Sequence, residues 1–320
     1  MGSPKSQYLL AYRRDVASQF GEDGIIEKIF SIISERDPTR GRWAVEFGAW
    51  DGQFCSNTLN LIKNHGWSAV LIEANRKKFA ELTTFHASRT NVHCLNRFVN
   101  LGGRDTLDNI LSETPIPQTF DLLSIDIDGA DYHVWKSLDR YRPGVVVIEF
   151  NPCIPKDIEF IQVPDMTVQH GTSILAMTKL AKRKGYELVC INQENAFFVD
   201  RKYFSLFGIE DNSVDALIHF EEPLRVFELY DGTLVFQGTL GLYWYGLGFN
   251  ARRLQMIPEF FRKRNIVWSH NKIHKVLFLV YRVLAGIRLN PRVFDWKHLS
   301  YRETSETPAE PPRQETRYEA

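Results

Sequence analysis

Between residues 42 and 201 the chain alternates short apolar runs with helical stretches, and this order constrains the fold more than any other feature. RWAVEF (42–47), SAVLIEA (68–74), NVHCLNRFV (91–99), FDLLSID (120–126) and GVVVIEF (144–150) read as strands. Residues 54–66, 75–88, 104–112, 131–141 and 173–185 read as the helices that follow them. GVVVIEF shows no in–out alternation, so both of its faces must be buried, as in a parallel sheet covered by helices on each side. YELVCIN (186–192) and AFFVDR (196–201) are separated only by a short polar gap, which suits a hairpin and makes the last strand antiparallel. The expected architecture is α/β: a doubly wound, mostly parallel sheet of about seven strands.

The flanks extend this unit. Ile25, Ile29 and Ile32, with Ile26, Phe30 and Ile33, fall at helical spacing within residues 22–34. Residues 1–41 are therefore expected to be a helical N-terminal segment or lid, and residues 42–204 the α/β domain. Residues 205–300 are rich in aromatics and Gly, with a DGT turn between two strands and a basic helical stretch from 255 to 288; they form a C-terminal extension. The polar, Pro-rich residues 301–320 read as disordered. With 39 Lys and Arg against 39 Asp and Glu, the chain has no bulk charge to attract nucleic acid. The four cysteines include no CxxC pair, so reduced thiols and a cytoplasmic setting are expected. No signal peptide is legible, and VLFLVYRVLAG (276–286), interrupted by Arg282, falls short of the ~20 apolar residues of a membrane span.

In an open parallel sheet, ligands bind beyond the carboxyl ends of the strands. The first strand ends VEFGAWDG, where Gly48 and Gly52 bracket a tight turn behind Glu46. The dinucleotide fingerprint is absent, because Trp50 stands where its second Gly would be. The second strand ends LIEAN, which places Glu73 where an acid accepts hydrogen bonds from ribose hydroxyls. Together they point to a nucleoside ligand without a pyrophosphate. An ordinary strand-to-helix turn and a surface Glu is the plainer alternative.

VEFGAWDG, LIEAN, LLSIDIDG and VVVIEFNP resemble class I S-adenosylmethionine-dependent methyltransferases. SQFGEDGII (18–26) narrows the resemblance to the FkbM-type family, over residues 18 to 200. The resemblance implies that Glu46, Gly48 and Gly52, with Ala49, Trp50 and Asp51 of the same turn, hold the methionine part of the cofactor. It implies that Glu73, with Ala74, holds the ribose, that Phe98 in the stretch 96–99 flanks the adenine, and that Asp126 also faces the cofactor. Trp50 departs from the smaller or polar residue common at its position.

LLSIDIDGADY (122–132) ends a buried run in Asp126, Asp128 and Asp131. Along an extended strand Asp126 and Asp128 point the same way, and so do Glu149 and Asn151 at the end of the next strand. If the two strands are neighbours, oxygen ligands converge in a set that suits Mg²⁺. Such an ion would lower the pKa of an acceptor hydroxyl. The arrangement looks like that of metal-dependent sugar O-methyltransferases of macrolide pathways. Against the metal stand two plainer readings: Asp131 as a helix N-terminal residue, and Asp126 as a group serving only the cofactor or the reacting centre. His170, in a loop leaving the fifth strand, is either a general base or a solvated loop histidine; His133 reads as structural.

In SQFGEDG, Ser18 can cap the helix with Glu22 and Asp23 in its first turn, while the resemblance places Gln19, Glu22 and Asp23 across cofactor or substrate. Tyr243, Trp244 and Tyr245 offer either a sugar-stacking platform or core packing. Residues 260–288, with Arg262, Lys263 and Arg264, suit either a peripheral membrane or partner contact or packing on the chain's own domain. The expected function is methyl transfer from S-adenosylmethionine to a hydroxyl of a sugar or small metabolite, with Mg²⁺ as an assisting ion. Two alternatives remain open: a metal-dependent glycosyltransferase using Asp126-x-Asp128, and a non-catalytic binding protein on the same fold.

Overall fold

The valine run of the fifth strand divides its side chains between two cores. In the computed structural model, β5 (Arg142–Glu149) sends Val145 and Val147 into one apolar layer and Val146 and Ile148 into the other, all fully buried. Period-two alternation does this only when both sheet faces are covered. The structure describes residues 6–38, 40–221, 223–262, 271–286 and 300–301.

The sheet also contains β1 (Trp43–Phe47), β2 (Ser68–Ile72), β3 (Val92–Leu95), β4 (Thr119–Ile125), β6 (Tyr186–Ile191) and β7 (Asn195–Asp200). Its order is β3-β2-β1-β4-β5-β7-β6. β1 to β5 are parallel, and β7 runs antiparallel to both β5 and β6. The hairpin expectation thus holds, with the last strand inserted between its two neighbours. The helices α1 (Glu22–Arg36), α2 (Leu59–His65) and α3 (Arg76–His86) cover one face, with Ile25, Ile29, Leu61 and Leu82 in its core. The other face is covered by α4 (Leu107–Ser112), α5 (Asp131–Ser137) and α6 (Ile174–Arg183), through Leu107, Trp135 and Met177.

Several elements are shorter than the sequence suggests, each for a local reason. α2 begins at Leu59 rather than near residue 54, because the Glu46 carboxylate captures Ser56, Asn57 and Thr58 in a turn. α5 stops at Ser137 because the amides of Asp139 and Arg140 donate to the Asp108 carboxylate at 2.9 and 3.0 Å, which pulls the chain out of the helix. β3 ends at Leu95, after which Asn96 Nδ2 donates to the carbonyls of Glu73 and Ala74.

Beyond β7, strands Arg225–Glu228 and Leu234–Gln237 pair around the Asp231–Gly232 turn, and Arg225 is paired with Asp157. Tyr243 donates to Glu194, which joins the extension to the β6–β7 hairpin. A helix spans Lys272–Leu284. Of the stretch 301–320 expected to be disordered, Tyr301 is placed, its amide donating to the Ile161 carbonyl at 2.7 Å; residues 302–320, and the charges of Lys263 and Arg264, lie outside the described residues. Among the described residues no helix is long and apolar enough to cross a membrane.

Candidate active site

The β1 turn is built around one close approach. Gly48 has φ +76°, and a Cβ added there would overlap the Asp126 carbonyl oxygen at the end of β4. Only glycine fits that conformation and that contact. Glu73 holds the turn from the other side: its carboxylate accepts from the Trp50 amide at 2.8 Å and from the Asn75 amide at 2.6 Å. Glu46 is buried and accepts from Ser56 Oγ, the Asn57 amide and Thr58 Oγ1 at 2.6–2.7 Å. Burial pushes its carboxyl up, against three donors that favour the ionised form.

A cleft of about 410 Å³ opens between these strand ends. Glu46, Gly48, Ala49, Trp50, Glu73, Ala74, Phe98 and Asp126 line it, as does Gln19 from the N-terminal segment. Two residues assigned to the cofactor from the sequence do not. Asp51 turns away, accepting from the amides of Gln53 and Phe54 at 2.9 Å. Gly52 instead packs against Leu82 and His86. The lining also includes Cys55 and Asn57, which the sequence pattern places inside a helix, and Arg97, next to Phe98. Phe98, at 52% exposure, and Trp50, at 44%, leave ring surface open to solvent.

Asp126, Asp128 and Glu149 form the second part of the site. One carboxylate oxygen from each lies within 4.8 Å of the other two. The convergence does not arise from strand alternation as expected, because β4 ends at Ile125 and Asp128 takes a left-handed φ of +58° in the following turn. Asp131 holds that turn: its carboxylate accepts from the amides of Ile127 and Gly129, both at 2.9 Å. Its helix-start reading is therefore the one that fits the geometry. Glu149 arrives because β5 pairs with β4 in register at Ile125 and Ile148. Burial, with Asp131 and Asp128 as neighbours, pushes the Asp126 carboxyl up to about 8. Burial and Asp126 push Glu149 up to about 10. Among the described residues no cationic side chain pairs with any of the three. An all-oxygen set of crowded carboxyls is the donor chemistry that fits Mg²⁺. Asn151 does not join it, because its carbonyl oxygen accepts from the Cys153 amide and its Nδ2 donates to the His170 carbonyl.

A second cleft, of about 490 Å³, lies on the far side of Asp128 and is lined by Asp128, Glu149, Asn151, His170, Trp244 and Tyr245, among others. Asp128 is common to both clefts. The loop after β5 serves both, with Met166 in the first and His170 in the second. Gln162, which nothing in the sequence singled out, anchors this loop. Fully buried, it accepts from the amides of His170 and Gly171 and donates to the Val168 carbonyl at 2.6 Å. His133 Nε2 donates to the Gln162 carbonyl at 2.6 Å, in keeping with a structural role.

In SQFGEDG the carboxylates turn inward. Asp23 accepts from the amides of Val16, Ala17 and Ser18, and Ser18 Oγ accepts from the Asp23 amide. Glu22 accepts from Phe20 and from Asn192 and Asn195 of the β6–β7 hairpin. Both carboxylates are buried and bypass the clefts; they present Gln19 at the first one, where its Oε1 accepts from Cys55 Sγ at 3.2 Å.

Residues 105–188 match the model of the methyltransferase FkbM domain. No curated protein matches the chain. Among solved structures it is similar to a Galdieria sulphuraria protein described as a sarcosine dimethylglycine methyltransferase, at 14% identity over 52% of this chain and 61% of that one, with a TM-score of 0.34. It is also similar to the METTL16 MTase domain, at 12% identity, 55% and 66% coverage and a TM-score of 0.36. A third is M. capricolum TrmK in complex with S-adenosyl-homocysteine, at 10% identity, 54% and 66% coverage and a TM-score of 0.31. The chain thus spans about three fifths to two thirds of the length of these structures. The matched domain lies on the methyltransferase side of the readings the sequence left open. Residues 105–188 thus carry the likeness to the methyltransferase FkbM domain, on a seven-stranded sheet whose seventh strand is reversed.

Proposed function

We propose that the protein transfers a methyl group from S-adenosylmethionine to a hydroxyl oxygen of a sugar or another small polyhydroxylated acceptor, assisted by a divalent cation. One observation carries this reading: two clefts meet at Asp128, beside a cluster of three carboxyls. The first cleft holds the cofactor, with Phe98 against its base, Glu73 at its ribose and Gly48 allowing close approach to the β4 end. S-adenosylmethionine, when bound, supplies a methyl group on a sulfonium, open to in-line attack by an oxygen.

The second cleft receives the acceptor. Trp244 and Tyr245 offer ring faces on which a sugar can stack, and Asp128 offers a polar partner. Asp126, Asp128 and Glu149 would hold the cation, and Mg²⁺ when bound would lower the pKa of a hydroxyl beside it. His170 lies in the acceptor cleft and takes up the proton that the hydroxyl loses. Gln162 sets the backbone on which His170 is carried. The free state of all four cysteines suits the reducing cytoplasm expected from the sequence.

The test is methyl transfer from labelled S-adenosylmethionine to a panel of mono- and oligosaccharides, with Mg²⁺ or with a chelator. Labelled product that requires Mg²⁺ and is lost in Asp128→Asn is the expected result. Product that forms equally with the chelator removes the cation from the account. Methylation of amines but no hydroxyls removes the acceptor class.

A further inference from the structure

The helix Lys272–Leu284 is apolar on two sides, and only one of them is packed. His274, Phe278 and Tyr281 face inward: His274 and Phe278 contact the ring of Phe261, and Tyr281 donates to the Met256 carbonyl at 2.8 Å. On the opposite side, Ile273, Val276, Val280, Val283 and Leu284 are 50–82% exposed. A surface helix ordinarily buries one apolar stripe and turns a polar face to water; here the outward face is apolar as well.

Charge identifies what covers it. Of the chain's 39 Lys and Arg, ten lie between residues 252 and 292, against one acidic residue, Glu259, out of 39. The remaining 29 basic residues face 38 acidic ones. A formally neutral protein therefore concentrates positive charge in the segment that carries the exposed apolar face. On the helix itself Lys275 and Arg282 are seven residues apart, two turns, and so share one flank between the packed and exposed faces. Long basic side chains at the edge of an apolar stripe can reach a polar headgroup layer while the stripe lies below it.

We propose that this helix is a docking surface for an anionic phospholipid bilayer, lying in the plane of the interface with Ile273, Val276, Val280 and Val283 inserted and Lys275 and Arg282 at the headgroups. At 13 residues it rests on the bilayer and does not span it. The inference stands independently of the methyl-transfer reading, since none of these residues lines either cleft.

The full chain is floated with vesicles of phosphatidylcholine alone and of phosphatidylcholine with phosphatidylglycerol, at low and high salt. Partition onto the anionic vesicles is expected to exceed that onto the neutral ones by about tenfold or more, and to fall with salt. Val280→Asp and the double change Lys275→Glu, Arg282→Glu are each expected to lower it by about tenfold or more. Val280 and Lys275 are exposed and Arg282 is partly so, and an unchanged thermal unfolding curve shows the fold intact. Absence of binding to the anionic vesicles, equal binding to both kinds, or unchanged partition of Val280→Asp would overturn the proposal. A dimer of the chain that Val280→Asp dissociates would give the face to a second copy and would overturn it as well.

Discussion

Gly48 lies against the carbonyl oxygen of Asp126, so the turn after β1 and the end of β4 are fitted to each other at a contact that admits no side chain. Gly48→Ala must distort a left-handed backbone and push the two strand ends apart. A left-handed φ alone costs a residue with a Cβ about 1–2 kcal/mol. The variant should lose at least about 2 kcal/mol of stability in urea denaturation once the overlap is added. S-adenosylhomocysteine binding should fall with it. Wild-type stability and affinity would show that the contact is unimportant.

The carboxyl cluster should respond to Mg²⁺ and pH together. Asp126 and Glu149 have folded pKa values raised from 3.8 and 4.5 to about 8 and about 10. The folded state then binds more protons than the unfolded state, so stability falls as pH rises above the ordinary carboxylate range through those raised values. The melting temperature without metal should therefore decline between neutral pH and pH ~9. Mg²⁺ should flatten the decline, and its uptake at neutral pH should release protons, seen as a buffer-dependent binding enthalpy. A Mg²⁺-insensitive melting curve across that range would remove the cation from this site.

Gln162 ties the loop that bears His170 through both ends of its amide. Gln162→Leu keeps the bulk and removes these bonds, leaving partly buried amides and a carbonyl without their partners, each at a cost below the about 1–3 kcal/mol of a fully buried group. The expected phenotype is a rise in acceptor KM and a drop in kcat, with S-adenosylhomocysteine affinity nearly unchanged. Steady-state kinetics paired with calorimetry separates that pattern from general unfolding.

His86 sits behind Gly52 on α3, and its pKa is lowered to about 4, first by burial and then by Arg89. Its folded pKa lies below its unfolded value of 6.5, so protonation favours the unfolded chain. Stability should be lost progressively as pH falls from 6.5 to about 4. His86→Phe should reduce that slope, measured as melting temperature against pH; an unchanged slope would assign the acid sensitivity to other groups.

How much could be read in advance depended on whether a property was periodic or relational. The continuous run at Val145–Ile148 announced a strand buried on both sides, and the short link before β7 announced its reversal. The convergence of Asp126 with Glu149 follows from their standing at neighbouring strand ends, but strand alternation does not produce it. The turn that places Asp128 is set by its left-handed φ and by Asp131 accepting two amides, which no strand period encodes. Asn151 was drawn away by the Cys153 amide, and Asp51 by Gln53 and Phe54, both local captures that compete with a ligand role. Gln162 was illegible because its importance lies in contacts with His133, Val168 and His170, brought together only by the fold.

The central claim is that the cleft between Gly48, Glu73 and Phe98 is an S-adenosylmethionine site, and calorimetric titration with S-adenosylhomocysteine tests it most directly. Phe98 is half exposed at the cleft, so Phe98→Ala removes a cofactor contact with little effect on the core. The account predicts one-to-one binding to the wild type, weakened about tenfold in Phe98→Ala, as losing a base–aromatic stack of about 1–3 kcal/mol implies. No binding of S-adenosylhomocysteine, together with Mn²⁺-dependent binding of UDP, would contradict it and give the carboxyl cluster to a nucleotide-sugar.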